Sequence, residues 1–197
     1  MKKIFKIELA ALALLAVVSC KEVKKEASEA EAETEEVMDD MMDDEETMEA
    51  INFMMEPKSD SSVKGEVSFT EEDGEVKMTA MLSGLSEGEH TIHIHESADC
   101  SSADGKSTGG HWNPTNEPHG KWGAAEGFHK GDIGNFTADE DGNATVEFST
   151  DQWCIGCDDE NMNIVGKAVI VHQGVDDFTS QPSGDAGARV SCTGIIQ

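Results

Sequence analysis

Residues 63–82 read VKGEVSFTEEDGEVKMTAML, with apolar side chains at every second position on both sides of a polar turn. This alternation over 63–69 and again over 75–82 predicts two half-buried β-strands, because successive side chains on a strand point to opposite faces. The turn Glu72-Asp73-Gly74 between them is a hairpin signal. The stretch therefore predicts an antiparallel hairpin in a fold built from β-strands.

Further short strands are predicted at regular intervals along the chain. They cover 89–96, 144–148 after the turn Asp141-Gly142-Asn143, and 167–172, whose apolar run indicates a strand covered over much of its surface. No long helical period occurs between 51 and 197. Short strands separated by Gly-rich turns are typical of an all-β sandwich or barrel of the Greek-key type.

The first 19 residues have the pattern of a secretory signal. Three lysines precede an apolar run that is too short to span a bilayer, and Val17-Val18-Ser19 stands immediately before Cys20. This ending is similar to a bacterial lipobox, which implies cleavage before Cys20 and acylation of its thiol. The alternative is an ordinary cleaved signal followed by a chance cysteine. The lipobox interpretation predicts a protein of a bacterial cell envelope, anchored to a membrane by lipid and facing the periplasm or the exterior.

Residues 20–50 are dominated by acidic side chains. Between 21 and 50, three lysines stand against 14 Asp or Glu, with no aromatic residue, Gly or Pro. Such a stretch cannot bury enough apolar surface to offset its chain entropy, so it is predicted to be a disordered or weakly helical tether. A copper-collecting role is conceivable for its methionines because thioethers suit Cu(I), and loose apolar contacts are the alternative. Six of the ten methionines lie in the tether or just beyond it: Met38, Met41, Met42, Met48, Met54 and Met55.

The remaining residues, 51–197, have the length of one domain. The formal net charge of -27 is spread over tether and domain, which argues against nucleic acid as a partner. Secretion also implies an oxidising compartment. With Cys20 assigned to lipid, an even set of four cysteines remains and predicts two disulfides. The four are Cys100, Cys154, Cys157 and Cys192.

Histidines are concentrated in this domain. His93 and His95 lie two apart on a predicted strand and therefore point to the same face. The Gly-, Pro-, Asn- and Ser-rich stretch from 100 to 135 carries three more histidines and Asp132, and loops of this length are usually functional or disordered. Imidazole is the commonest protein ligand of metals, so the pattern predicts a zinc or copper site. Its candidate ligands are His93, His95, His111, His119, His129, Asp132 and His172.

The same residues lie within a series of short motifs. In chain order these are HIHE at 93–96, GGHWNP at 109–114, HG at 119–120, HKGDIGN at 129–135, VH at 171–172 and GDAGARVSC at 184–192. Over most of residues 62–197 they closely resemble the copper-zinc superoxide dismutases. The resemblance implies an eight-stranded Greek-key β-barrel with long metal-binding and electrostatic loops, in agreement with the predicted strands.

Carried over position by position, the resemblance also implies a role for each residue of the site. Copper would be bound by His93, His95, His111 and His172, and zinc by His111, His119, His129 and Asp132. His111 would bridge the two metals, Asp176 would hydrogen-bond to His93 and His119, and His90 would be structural. Arg189, the only arginine of the chain, would lie beside copper and attract the substrate anion. Cys100 and Cys192 would form the disulfide that ties the metal-binding loop to the barrel.

The reaction that the resemblance implies is dismutation of superoxide to O2 and hydrogen peroxide, with His111 and Arg189 as catalytic residues, in protection of the cell envelope. A copper carrier and a structural surface lipoprotein are the alternatives, and the complete ligand sets together with Arg189 favour the enzyme. Copper-only relatives are disfavoured because the zinc ligands are intact. A homodimer is possible, since bacterial members of the family assemble differently or stay monomeric.

Two segments depart from the better-known eukaryotic pattern. Residues 176–189, DDFTSQPSGDAGAR, contain no lysine, so Lys106, Lys121 or Lys130 would have to supply any additional steering charge. The second departure is WCIGC at 153–157. A structural disulfide between Cys154 and Cys157 is favoured over a redox or copper-docking pair, because a redox pair needs a helix N-terminus that this region lacks.

Overall fold

A computed structural model describes residues 50–196 of the chain. The predicted signal sequence, Cys20 and the tether up to residue 49 lie outside the described residues. The described part contains eight β-strands and a single turn of 3-10 helix at Lys106–Thr108, which confirms the predicted all-β class. The strands are β1 (Ile51–Pro57), β2 (Lys64–Glu72), β3 (Glu75–Ser83), β4 (Gly88–His95), β5 (Gly134–Ala138), β6 (Ala144–Thr150), β7 (Ala168–His172) and β8 (Arg189–Gly194). Within residues 50–196, no helix is long and apolar enough to cross a membrane.

The eight strands form one antiparallel sheet that curls into a nearly closed barrel. Their order is β5-β4-β7-β8-β1-β2-β3-β6, so β3–β4 and β6–β7 are connections that cross from one half of the sheet to the other. β1 joins the halves, because its residues 51–55 pair with β2 and its last two pair with β8. The edge strands β5 and β6 approach each other where a short turn connects them. The predicted Greek-key barrel is thus confirmed as the fold class.

The predicted hairpin is formed by β2 and β3. Apolar residues face each other across the two strands, with Phe69 opposite Met78 and Val67 opposite Ala80, and all four are buried. Asp73 and Gly74 both have positive φ, at 52° and 78°, which lets a two-residue turn follow the twist of the strands. Burial of such an apolar side chain stabilises the fold by roughly 1.5–3 kcal/mol.

Alternation on β4 serves the barrel and the histidines together. Ile92 and Ile94 point into the hydrophobic core, while His93 and His95 point to the opposite face, and all four are completely buried. The loops between β4 and β5 and between β7 and β8 cover that second face. β4 is therefore buried on both sides, and its two histidines lie beneath loops rather than in water.

Three strands escape prediction from alternation alone. β1 has a single buried residue, Met55, which is 2% exposed, whereas its neighbour Met54 is 67% exposed. β8 is buried on both faces over Val190–Thr193 and so has no polar period, and β5 is only five residues long. The position of Met55 in the core also leaves its thioether to packing rather than to copper collection.

The described part of the chain contains two disulfides, Cys100–Cys192 and Cys154–Cys157. The first joins residues 92 positions apart, and in the chain-entropy model a loop of that length stabilises the folded state by about 5 kcal/mol. Cys192 lies on β8, three residues beyond Arg189. This bond ties the long loop after β4 to the strand that begins with Arg189.

Candidate metal centre

The candidate ligands form two buried groups that share His111. Within each group, one nitrogen or oxygen atom per residue lies within 4.8 Å of those of the other members. The first group is His93, His95, His111 and His172, and the second is His111, His119, His129 and Asp132. The structure thus brings together all seven residues that the sequence singles out.

Main-chain hydrogen bonds between three chain segments bring the two groups together. Ile94 N–H donates to Gly131 O (2.9 Å), Gly131 N–H to Trp112 O (3.0 Å) and Trp112 N–H to Ile94 O (2.8 Å). His95, His111 and Asp132 each follow or precede one of these residues and are positioned by the same bonds. A side chain at 131 would overlap the Ile94 carbonyl oxygen, which explains the glycine in HKGD.

In the first group, nitrogens without hydrogen-bond partners face one another. His93 Nδ1 and His111 Nε2 are buried and have no partner among the described residues. His95 Nδ1 lies 3.0 Å from the Gly109 carbonyl oxygen and must be its donor, so the neutral ring presents an unprotonated Nε2. That Nε2 lies 3.4 Å from His172 Nε2. Four imidazoles that direct lone pairs toward one point suit copper.

The second group surrounds the carboxylate of Asp132. Oδ1 lies 2.8 Å from His111 Nδ1 and 3.2 Å from His129 Nδ1, and Oδ2 lies 3.0 Å from His119 Nδ1. The last two contacts are short, yet His119 Nδ1 and His129 Nδ1 lack a correctly directed hydrogen bond. The two Nδ1 atoms therefore point, as metal ligands would, to a shared position beside the carboxylate. Three imidazoles and one carboxylate without a thiolate suit tetrahedral zinc.

Asp176 connects the two groups from behind. Its Oδ2 accepts from His93 Nε2 at 2.8 Å and its Oδ1 from His119 Nε2 at 2.9 Å, so each ring keeps Nδ1 for the centre. Asn135 holds the Asp176 backbone with two hydrogen bonds, one to the N–H and one to the carbonyl, both 2.9 Å. Gly184 is required beside them, because a Cβ there would overlap the Asp176 carboxylate.

A similar clamp from Gln181 holds His119. The Gln181 side chain accepts from the His119 N–H and donates to the His119 carbonyl, both at 2.9 Å. His90, in contrast, belongs to neither group: it is buried, and its ring nitrogens contact the carbonyl oxygens of His172 and Ser86. Sequence reasoning missed Gln181 because nothing about an exposed loop glutamine indicates a contact with a residue 62 positions away.

Burial and the two carboxylates shift the pKa values of the histidines in opposite directions. Burial lowers the pKa of His111 to about 4 and lowers that of His93 as well. Burial would also lower the pKa of His119, but its contacts with the Asp132 and Asp176 carboxylates outweigh burial and raise the value to about 9. Burial would raise the pKa of both carboxyls, yet their histidine partners hold the pKa of each far below its usual range. Both carboxylates are therefore charged at neutral pH.

A cavity of about 560 Å³ opens onto the first group. Arg189 lines it and is held by three hydrogen bonds, to Gly105 O (2.9 Å), Thr108 Oγ1 (3.0 Å) and Gly109 O (2.8 Å). Burial lowers the pKa of Arg189 from its ordinary value, but a guanidinium stays charged in proteins. The structure thus places a fixed cation beside His95, His111 and His172.

Of the three lysines considered for steering, Lys106 alone lines this cavity. It is exposed, and its Nζ lies 2.9 Å from Oδ2 of Asp104, which also lines the cavity. Lys130 instead donates to Gln152 at 2.7 Å, and Lys121 is exposed on the loop that carries His119. Arg189 and Lys106 are therefore the two cations at the opening, with Asp104 and Asp185 as the opposing charges.

An eight-stranded antiparallel barrel that holds two adjacent histidine-rich groups with one imidazole in common defines a β-barrel metalloprotein with a paired metal centre. Residues 63–196 match the family model described as copper/zinc superoxide dismutase. The chain belongs to the copper-zinc superoxide dismutase family, and is therefore an oxidoreductase with copper and zinc as its metals.

Solved structures agree with this assignment. The chain is 27% identical to a SOD-like protein from Bacillus subtilis, with a TM-score of 0.66, over 74% of this chain and 97% of that one. A double mutant of that protein gives 29% identity and a TM-score of 0.67 over the same shares. The clock protein EA4 is 32% identical, with a TM-score of 0.63, over 75% of this chain and 94% of the other.

Proposed function

We propose that this chain dismutes superoxide outside the cytoplasm, at the envelope of a bacterium, and protects that envelope from the radical. Copper is held by His93, His95, His111 and His172, and zinc by His111, His119, His129 and Asp132. The observation that carries the proposal is the set of four buried histidine nitrogens without hydrogen-bond partners, two in each half of the centre around His111. Buried polar atoms of this kind are rare unless they bind something.

Copper supplies the one-electron acceptor and donor of the dismutation, while zinc, which has no redox chemistry, orients the shared imidazole and tunes its basicity. The protein contributes the binding and the proton. Arg189 lies in the cavity with its guanidinium fixed by three acceptors, so it attracts and orients a small anion without reorganising.

His111 is suited to hold and release a proton at Nε2. Its Nδ1 stays directed at Asp132, so Nε2 is the nitrogen that faces the first group. Burial lowers the pKa of His111 to about 4, so the ring is neutral at neutral pH and readily gives up an additional proton on Nε2 to a reduced oxygen species. The side chain thereby serves as ligand and as acid at different points of the cycle.

An acidic protein can attract an anionic substrate because the electric field at the cavity, rather than the net charge, guides the anion. The net charge of -27 is spread over the whole chain, whereas Arg189 and Lys106 lie at the cavity. Low-dielectric walls focus the field of such groups toward the opening. Arg189 is the main source of attraction, since Asp104 partly neutralises Lys106.

The location rests on the N-terminal sequence. The signal pattern and Cys20 support export and attachment by lipid, and an oxidising compartment agrees with two disulfides in the domain. Cys20→Ser should move the protein from the membrane fraction to the soluble one, and mass spectrometry of the N-terminal peptide should find acyl chains only with Cys20 present. An unmodified N-terminus in the wild type would contradict the anchor. The homodimer remains a prediction, and the molar mass of the soluble protein, measured by light scattering, tests it.

The function is tested with the soluble Cys20→Ser protein. Metal analysis should find one copper and one zinc per chain, and the protein should consume superoxide catalytically, with activity lost on removal of copper. His111→Ala serves as the matched inactive variant. Metal binding without turnover would instead favour the copper carrier, and absence of both would contradict the proposal.

A further inference from the structure

The WCIGC segment at 153–157 lies outside both ligand groups, and its role is not explained by the reaction. Trp153 is completely buried and lies three residues beyond the end of β6. The next residue, Cys154, is linked to Cys157 by a disulfide and pairs with a later part of the loop through Cys154 N–H to Met162 O (2.8 Å) and Ile164 N–H to Cys154 O (3.0 Å). Trp153 therefore stands at the base of a cross-linked loop and has little freedom to move.

The indole of Trp153 reaches the loop that carries the zinc ligands. Its Nε1–H donates to the carbonyl oxygen of Lys130 at 2.9 Å. Lys130 lies between His129 and Asp132 in the chain, so this bond holds the backbone at the turn from one ligand to the other. The Asp132 N–H in turn donates to the His129 carbonyl at 3.1 Å, which closes that turn.

An aromatic cluster extends the same contact along the loop. Trp122 packs edge-on against Trp153, with ring centroids 6.0 Å apart, and lies 4.8 Å from Phe128. Phe148 of β6 completes the cluster, at 5.0 Å from Trp153. Trp122 follows His119 by three residues and Phe128 immediately precedes His129, so ring packing fixes both stretches of the loop against the barrel wall.

The copper-side ligands depend on other supports. His93, His95 and His172 lie on β4 and β7, which pair directly with each other. Their ring nitrogens on the side away from the centre contact Asp176, Gly109 O and Gly187 O. None of these contacts involves the aromatic cluster, so a change at Trp153 reaches the copper half only through His111, which both halves share and which contacts Asp132.

We propose that Trp153, fixed by the Cys154–Cys157 loop, is a positioning residue for zinc: it orients His129 and Asp132 through the Lys130 carbonyl and steadies the loop through Trp122 and Phe128. This inference rests on the proposed zinc site and adds a determinant of its affinity from outside the ligand set. Partners that orient metal ligands typically change affinity by about 10–100-fold when removed. Because Trp153 acts through the backbone, the loss expected here is about tenfold, at the low end of that range.

The test compares Trp153→Phe with Phe69→Leu in the Cys20→Ser protein. Trp153→Phe keeps an aromatic ring but removes the indole donor. Phe69→Leu removes a similarly buried ring from β2, next to Phe53 and apart from the zinc loop. Zinc and copper affinities are measured by competition with chelators, and urea unfolding of the metal-free proteins gives their stability.

Trp153→Phe should bind zinc about tenfold more weakly with a much smaller change in copper affinity, while Phe69→Leu should lose stability without losing zinc affinity. Equal zinc affinities in the wild type and Trp153→Phe, or equal losses in both variants, would overturn the inference. Cys154→Ser/Cys157→Ser, which opens the loop and keeps every ligand, should show a smaller loss of zinc affinity. If Trp153→Phe does not fold, this double variant is the test, and a zinc affinity equal to that of the wild type then overturns the inference. Failure of the wild type to bind zinc would instead contradict the proposed function.

Discussion

Replacement of Asp176 by asparagine tests the link between the two halves of the centre. The carboxylate accepts from His93 Nε2, His119 Nε2 and the Phe178 N–H, at 2.8, 2.9 and 2.7 Å. An asparagine has one acceptor oxygen and one NH2 group, so at least one of the imidazole donors must then face another donor. The substitution is nearly isosteric, and its effect is therefore electronic rather than a matter of packing.

The expected magnitude follows from that lost contact. A hydrogen bond to a charged group contributes about 1.5–3 kcal/mol, and 1.4 kcal/mol corresponds to a factor of ten in affinity. A histidine that loses its acceptor is free to place a proton on Nδ1, where it competes with the metal. Asp176→Asn should therefore weaken metal binding by about 10–100-fold, as is typical of groups that orient metal ligands.

The assay is chelator competition for copper and zinc, with Asp177→Asn as the matched control. Asp177 is the adjacent residue, but it is exposed and accepts only from Thr179 and Ser180. The control should bind both metals like the wild type. If Asp176→Asn also bound both metals with wild-type affinity, the argument that Asp176 directs the Nδ1 atoms would be refuted.

Three further predictions concern the cavity and pH. Arg189→Ala should lower the rate constant about tenfold at low salt and flatten its dependence on ionic strength, with Lys64→Ala, an exposed lysine away from the cavity, as control; an unchanged salt profile contradicts the role of Arg189. Asp104→Asn should raise the low-salt rate constant about twofold, because it removes an acid from the opening and releases Lys106; a lower rate would contradict this. The metal-free protein should lose stability as pH falls from about 7 to 4, because His93, His95, His111 and His172 have lowered pKa values in the folded state and gain protons on unfolding. For His111 the interval from 6.5 to about 4 corresponds to about 3 kcal/mol. His119, with its pKa raised to about 9, should have the opposite effect: its contribution is complete below pH 6.5 and is lost toward pH 9. Urea unfolding from pH 5 to 9 should therefore show a maximum near neutrality, and a flat profile would contradict the assignment.

Alternation in the sequence predicts five of the eight strands, with ends that agree to within three residues. Those five present one buried and one exposed or loop-covered face, or a continuous apolar run. β1 alternates in the structure, with Ile51, Phe53 and Met55 toward the core, but the exposed Met54 hides this period in the sequence because it is itself apolar. β8 has no period because it is covered on both faces.

The candidate ligands can be predicted because histidine is chemically distinctive and falls in recognisable motifs. The residues that hold the ligands cannot. Asn135 and Gln181 form hydrogen bonds to backbone groups 41 and 62 residues away, and Trp153 donates to a carbonyl 23 residues away. No periodicity encodes such contacts, since they depend on how loops pack once the barrel has formed.

The three-way main-chain junction of Ile94, Trp112 and Gly131 has a consequence for the mutational tolerance of the enzyme. The bonds that bring the two metal groups together use backbone atoms, so exchange of one apolar side chain for another at Ile94 or Trp112 changes packing but leaves the junction intact. Gly131 is the exception, because any other residue there displaces the Ile94 carbonyl. In a saturation library, position 131 should therefore accept almost no substitution, while positions 94 and 112 should tolerate conservative substitutions.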